Sequence, residues 1–265
     1  MPSFDSILNL RDLGGLPALG RTVRHGRLLR SAFLHDISDR DVGTLAQEYR
    51  LRRIFDFRSY PEMEFQPDRP VPGAEHIALP TLDQEAERRS GEAVPQETWL
   101  DLPKHIVRLS FTSLFQRKAR ELYPSLILSE YSQLQYAAFL NLILDTPDGA
   151  VLWHCSQGKD RTGIGAALLL GALGAERATI EADFARSNIL YQPLVDRLKA
   201  EVEALGGGDE EKDVVQAFMG VSTRNFSRTL DLIDRQWGSL HGYIVTCLGL
   251  TENDLKTLQE RYLEH

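Results

Sequence analysis

Ala150-Val151-Leu152-Trp153-His154-Cys155-Ser156-Gln157-Gly158-Lys159-Asp160-Arg161-Thr162-Gly163 is the stretch on which the reading of this chain turns. Its apolar start follows an Asp148-Gly149 turn and predicts a buried strand. From Thr162 to Leu173 the residues are small and apolar throughout, which predicts a buried helix stopped near Gly174. Between strand and helix, five residues separate Cys155 from Arg161. A turn of that length can aim its backbone N–H groups at one point, and the helix beginning there adds its positive end. A phosphate dianion fits such a concavity. Arg161 can grip two of its oxygens in a bidentate way that a lysine cannot reproduce.

The same field acts on the thiol. Cysteines at helix N-termini beside cationic groups are thiolates at neutral pH and attack as nucleophiles, the role read here for Cys155. Ser156, Gln157, Gly158 and Lys159 complete the phosphate-binding loop, with Lys159 read as a further positive charge at its mouth. His154 is expected to order the loop through hydrogen bonds to nearby backbone, and Thr162 to donate its hydroxyl to the thiolate. Gly158 permits a backbone conformation that other residues resist, and Gly163 would let the helix approach the sheet closely. A leaving oxygen needs an acid, and the second step a base. Asp160, inside the loop, is the first candidate, and Asp56, at the end of another predicted strand, the second. A nucleotide-binding P-loop is excluded, because Trp153 stands where a glycine is required and Gly158-Lys159 is followed by Asp160.

Outward from this stretch the chain alternates strand-like and helix-like segments, which favours an α/β class. Gly26 to Ser31 and Ile54 to Phe57 read as strands, the second ending in polar Arg58-Ser59. Ser38 is a helix N-cap for a helix reaching about Tyr49. A helix is expected from Thr179 towards Leu205 with a bend at Pro193, then a flexible break at Gly206-Gly207-Gly208. Further helices start at Ser222 and Thr251. Residues 83–131 open polar and become amphipathic from about His105. They read as a helical insertion in a single domain spanning 1–265, either a cover over the site or helices on the sheet flank. Leu263-Glu264-His265 reads as the stub of an expression tag.

At 265 residues, 42% hydrophobic and 26% charged, the composition is that of an ordinary globular protein. No apolar run reaches the roughly 20 residues of a membrane span, and no secretory signal is recognisable. A cytoplasmic protein is expected, or one exported by a route the sequence does not show. A net charge of -8 argues against nucleic acid as a partner. Two cysteines provide neither a disulfide framework nor a four-cysteine zinc site.

His154 through Gly163 resembles the signature of protein tyrosine phosphatases, and its Gly-Lys-Asp-Arg-Thr-Gly ending resembles an atypical bacterial branch of that family. Asn9-Leu10-Arg11-Asp12-Leu13-Gly14-Gly15 is similar to that branch's N-terminal segment. The likeness continues through Gly26 to Ser31, Asp56-Phe57-Arg58-Ser59 with Glu62 and Glu64, Ala182 to Asn188, and Tyr243 with Leu248-Gly249-Leu250. The resemblance implies a phosphatase fold with a mostly parallel sheet flanked by helices, no metal or other cofactor, and a phosphocysteine intermediate. It assigns Cys155 as nucleophile, Arg161 as phosphate clamp and Asp160 as acid. Phosphorylated proteins or peptides are the expected partners. Some relatives also accept phosphoserine, phosphothreonine and phosphoinositides. By the same resemblance Arg11 forms an ion pair holding the N-terminal segment against the sheet, while Asp56 and Arg58 either position Arg161 and water or bind the following turn.

Two rivals remain in view. Reductases or sulfurtransferases with a thiolate in an anion-binding loop need further redox cysteines, and only Cys247 is available, in a segment that reads as core. A non-catalytic phosphate-binding module would need nothing beyond this loop.

Overall fold

The computed structural model describes residues 4–83, 106 and 121–265. A five-stranded sheet forms the centre, in the order β1 (Arg11–Asp12), β4 (Leu28–Ser31), β7 (Ala150–His154), β5 (Leu51–Asp56), β6 (Glu75–Ala78). β4, β7, β5 and β6 run parallel, and only β1, at the edge, is antiparallel. Parallel strands covered on both faces carry nearly continuous apolar runs. The side-chain period of two then sorts each run between two cores. Val151 and Trp153 face one, with Phe55 and Leu28. Ala150 and Leu152 face the other, with Ile54, Leu51 and Leu29.

The second core is closed by α1 (Asp39–Gly43) and the π-helical turn Thr44–Glu48 that continues it, capped by the expected Ser38 hydroxyl on the Asp41 N–H. The first core is closed by α3 (Glu130–Leu144) and α4 (Asp160–Ala172). Between these lies α2 (Tyr60–Phe65), opened by a Ser59–Glu62 capping box. α5 (Arg177–Ala204) contains Pro193 and is followed, after the predicted glycine break, by α6 (Asp209–Met219). The two pack through Tyr191, Val195 and Val202 against Val215, Phe218 and Met219. α7 (Thr223–Trp237), α8 (Leu240–Thr246) and α9 (Glu252–Tyr262) complete the chain, with Ser222 and Thr251 as N-caps where expected. Among the described residues no helix is long and apolar enough to cross a membrane.

Residues 84–105 and 107–120, most of the expected insertion, lie outside the described residues. Residues 121–128 are helical, and Tyr123, Leu126 and Ile127 are buried in the first core.

One expectation is overturned at the C-terminus. Leu263–Glu264 is strand β8, paired antiparallel to β3 (Arg21–Val23) in a small sheet with β2 (Pro17–Ala18). Leu263 is fully buried, and its carbonyl accepts hydrogen bonds from Arg21 Nη2 at 2.8 Å and Arg24 Nε at 3.0 Å. Leu263 and Glu264 therefore belong to the fold. Leu263→Ala should lower unfolding stability by about 2–5 kcal/mol, the usual range for emptying a buried leucine site, as read from the urea midpoint at unchanged slope.

Candidate active site

β7 ends at His154 and α4 starts at Asp160, so Cys155 through Lys159 form a turn whose floor is the sheet edge. Cys155 is buried at its base. The loop's carbonyls are held from behind. Ser156 O accepts the Phe33 N–H at 3.3 Å, and Gln157 O accepts Tyr191 Oη at 2.7 Å and Asn9 Nδ2 at 3.1 Å. Gly158 O accepts Asn9 Nδ2 at 2.8 Å and Arg30 Nη2 at 3.0 Å, and the same Arg30 nitrogen reaches Lys159 O at 3.3 Å. In a planar trans peptide the C=O of one residue points opposite to the N–H of the next. Four carbonyls turned outward therefore turn the N–H groups of residues 157–160 inward, to the centre an anion would occupy. Gly158 has φ +62°, and a Cβ there would lie 1.9 Å from Ser31 O, so its identity is required both by conformation and by the closeness of β4. Gly163 answers a different neighbour from the one expected: its missing side chain makes room for the Phe184 ring of α5 as well as for Arg30.

The groups behind the loop are themselves organised. Arg11 Nε donates to Asp183 Oδ1 at 2.7 Å, and Arg30 Nη1 to Asp183 Oδ2 at 2.5 Å. Arg11 Nη1 donates to Asn9 Oδ1 at 2.7 Å, which leaves the Asn9 amide nitrogen for the loop. Burial pushes the Arg11 guanidinium down to about 10, Arg30 pushes the same way, and Asp183 opposes both. Asp183 is held below the usual carboxylate range, since the two arginines outweigh the cost of burial.

Arg161 projects from the first turn of α4 and meets Glu62 of α2 in a fork: Nη1 donates to Oε2 and Nη2 to Oε1, both at 2.7 Å. Ser156 Oγ donates to Glu62 Oε1 and accepts Arg161 Nη2 at 3.1 Å. The Ser59 backbone N–H also donates to Glu62 Oε2, so the capping box of α2 doubles as the mount of the arginine. Burial would raise the Glu62 carboxyl, but Arg161 and the Ser156 hydroxyl hold it far below its ordinary value. Arg161, for its part, is raised despite burial, by Glu62 and then by Cys155.

Asp160 lies beside the arginine at the start of the helix, and Tyr123 Oη donates to its Oδ1 at 2.7 Å. The Tyr123 hydroxyl is pushed well above its ordinary value by burial and by that carboxylate. Two loop expectations fail. Lys159 does not place its charge at the mouth: its buried ammonium turns inward and donates to Phe218 O and, at 2.9 Å, to Gly220 O. Those carbonyls stand at the C-terminal, negative end of α6, which is why they draw the cation. Burial lowers the Lys159 ammonium, with Asp160 and Cys155 opposing. Thr162 is fully buried, but its Oγ1 has no hydrogen-bond partner among the described residues, Cys155 included.

A family model described as "Tyrosine phosphatase family" matches residues 2–264. The chain belongs to that family. A Cupriavidus necator protein provisionally named a tyrosine-protein phosphatase is 30% identical over 263 residues, 98% of this chain and 88% of that one. The triple specificity protein phosphatase of Mycobacterium tuberculosis is 26% identical over 251 residues, 89% of this chain and 90% of that one. A tyrosine-protein phosphatase of Nostoc commune is 32% identical over 135 residues, 49% of this chain and 45% of that one. The sheet order and flanking helices agree with a tyrosine phosphatase fold, and the expected α/β class stands.

Behind this phosphatase loop, Asp56 is fully buried at the end of β5 and bound by Arg58: Nε reaches both carboxylate oxygens at 3.0 Å, Nη2 reaches Oδ2 at 2.7 Å, and the Arg58 N–H reaches Oδ1 at 2.9 Å. A carboxylate so covered has no proton to give a leaving group, and the alternative acid role falls. Of the two readings of Asp56 and Arg58, binding of the following turn is the one the geometry supports, Arg58 Nη1 also reaching Gln66 O at 2.7 Å. His154 does approach backbone, with Nδ1 3.3 Å from Cys155 O, but its closer neighbour is Asp68 Oδ2, 2.9 Å from Nε2. Burial pushes the His154 imidazolium down, and Asp68 and Asp56 more than reverse it.

Asp68, Tyr123, Tyr191 and His76 escaped the sequence reading, since each reaches the site from a distant segment with no local pattern to mark it. Glu62 was visible only as part of the family likeness and, three residues after Ser59, as a capping signature. A group whose folded pKa is depressed stabilises above its unfolded pKa and loses that contribution as pH falls towards the folded value. Glu62→Gln should therefore cost about 3 kcal/mol at pH 7, the low end for breaking a buried pair because this one is partly exposed. The gap between variant and wild type should narrow once pH drops below about 4.3, the ordinary glutamate value, as followed by urea unfolding across pH.

Proposed function

We propose that this phosphatase hydrolyses phosphotyrosine through a phosphocysteine intermediate, with Cys155 as nucleophile, Arg161 as phosphate clamp and Asp160 as general acid and base. The observation that carries the reading is the outward anchoring of four consecutive loop carbonyls around a cysteine, opposite an arginine already fixed by Glu62. Such a loop is preorganised for the charge of a transferring phosphoryl group, and preorganised donors cost no reorganisation during reaction.

In the first step the Cys155 sulfur forms a bond to phosphorus as the bond to the tyrosine oxygen breaks. Inward N–H groups of the loop take the equatorial oxygens, and Arg161 joins them with its Nε–H and with the Nη2 N–H that Ser156 Oγ now accepts. Asp160 gives its proton to the leaving phenolate. Tyr123 donates to Oδ1 of Asp160, so Oδ2, which lies 3.8 Å from the Lys159 ammonium, is the oxygen that carries the proton. In the second step the same carboxylate takes a proton from water as the water oxygen displaces the sulfur, releasing phosphate and restoring the thiolate.

Phosphotyrosine in proteins or peptides is the favoured substrate, with phosphoserine, phosphothreonine and phosphoinositides as further candidates; the printed name of the mycobacterial relative supports breadth. Lys159 gives no support to a highly anionic substrate, since its charge is committed to α6. The proposal includes a single domain with residues 83–131 as a helical insertion beside the site, supported by the reach of Tyr123 to Asp160 from helical residues 121–128.

Steady-state hydrolysis by wild type and Cys155→Ser should show turnover of a phosphotyrosine peptide that vanishes in the variant. Binding without turnover by wild type would indicate the non-catalytic module instead. Asp160→Asn should slow an alkyl or phenyl phosphate by about 100-fold or more, the usual contribution of a positioned acid, and a nitrophenyl ester far less. Equal losses on both would remove Asp160 from the acid role.

A further inference from the structure

Four side chains outside the catalytic loop converge behind it from separate segments: Asp56 at the end of β5, Asp68 in the loop after α2, His76 on β6 and His154 at the end of β7. We propose that they form a binding site for one divalent transition-metal ion of the zinc class, separate from the pocket that holds phosphate.

Geometry comes first. One donor atom from each residue can be chosen so that all four lie within 4.8 Å of one another. Asp68 Oδ2 is 2.9 Å from His154 Nε2 and 3.1 Å from His76 Nε2, and His76 Nε2 is 3.5 Å from Asp56 Oδ2. Zinc bonds of about 2.0–2.1 Å in tetrahedral array put neighbouring ligand atoms roughly 3.3–3.4 Å apart, the middle of this range. Three of the six donor pairs thus stand near tetrahedral spacing, and the whole set lies within 4.8 Å.

A second observation points the same way. His154 Nε2 is buried and has no aligned hydrogen bond among the described residues, although Asp68 Oδ2 is 2.9 Å away. The two atoms hold each other as an ion pair without an aligned hydrogen bond, and a shared ion would give both an aligned partner. The other nitrogen of that ring faces Cys155 O at 3.3 Å, the kind of outer partner that fixes the tautomer of a metal-bound histidine.

Chemistry sets the class of ion. Two imidazoles and two carboxylates suit zinc and its neighbours, whereas calcium and magnesium favour oxygen alone. His76 stands on the edge strand with its side chain 40% exposed, which provides the way in. The competitor already present is Arg58, whose Nη2 touches Asp56 Oδ2 at 2.7 Å and Asp68 Oδ2 at 3.0 Å. An entering ion displaces that nitrogen, draws Oδ2 away from Arg58 Nε, and releases the imidazole proton that His76 Nε2 shares with Asp68. Arg58 keeps Asp56 Oδ1 through Nε and Gln66 O through Nη1. No step of the reaction needs this metal, in keeping with the metal-free chemistry that the family likeness implies.

The test uses full-length, untagged Cys155→Ser protein, so that no nucleophilic thiolate can take the ion. Calorimetric titration with Zn2+ near neutral pH should show one equivalent bound, and Co2+ should give the visible absorption of a tetrahedral site. Adding His76→Ala, on an exposed ring, should leave the circular dichroism unchanged and weaken binding tenfold or more. His241→Ala, which removes an exposed ring paired with Glu252 on the far helices, should change nothing. Absence of stoichiometric uptake, or uptake unaltered by His76→Ala, would overturn the site. Because the protein titrated is inactive by design, neither result bears on the phosphatase reading.

Discussion

Asp183 is a buried carboxylate shared by two arginines, and the shape of the phosphate loop hangs on it. Its two oxygens set the planes of Arg11 and Arg30. Arg30 then spends another nitrogen on the carbonyls of Gly158 and Lys159, while Arg11 fixes the Asn9 side chain that holds Gln157 and Gly158. Charges this deep gain little net stability, because desolvation consumes most of the attraction. They gain direction instead. The hydrogen-bond donors behind the loop dictate that its carbonyls face backward, and planarity of the peptide turns this into a forward-facing ring of N–H groups.

A second ion pair does in front what Asp183 does behind. Glu62 holds Arg161 by both terminal nitrogens and belongs to a capping box, so the arginine's position is tied to where α2 begins. The start of α2 is tied in turn to β5 through Asp56 and Arg58. Sheet, helix start and guanidinium therefore form one rigid connection. A free arginine in a concavity would sample many rotamers, and ordering it at each turnover would subtract from catalysis. Here the ordering is done by folding.

How much of this was legible depended on whether the information is local. The strand Ala150–His154, the helix after it and the five-residue spacing between Cys155 and Arg161 all follow from short-range pattern, and the structure reproduces them. The caps at Ser38, Ser222 and Thr251 are local for the same reason. Expectations that needed the far end of a long side chain fared worse. Lys159 was read by its neighbours in sequence, yet its ammonium is governed by α6, some sixty residues away. Asp56 was read as a strand-end carboxylate with reach, whereas Arg58 closes over it. Leu263 was discounted for standing at the end of the chain, a place that says nothing about whether a strand such as β3 needs a partner.

The turned-in lysine also constrains how substrates can be told apart. With Lys159 on the carbonyls of Phe218 and Gly220, the loop's second cation is turned towards the negative end of α6 and Asp160 Oδ2, 3.8 Å away, rather than out to the mouth. Attraction for the phosphoryl group then rests on Arg161 and the backbone N–H groups, which serve any phosphomonoester alike. Discrimination among such esters must come from the walls above the loop rather than from its floor. Among the described residues, helical 121–128 touches the loop through Tyr123 on Asp160. Its ring sits edge-on to Phe184 and Phe226, which are themselves stacked. Any movement of that helix would carry the acid's hydrogen-bond partner with it. Tyr123 thus ties that helix to the carboxylate proposed to move the proton.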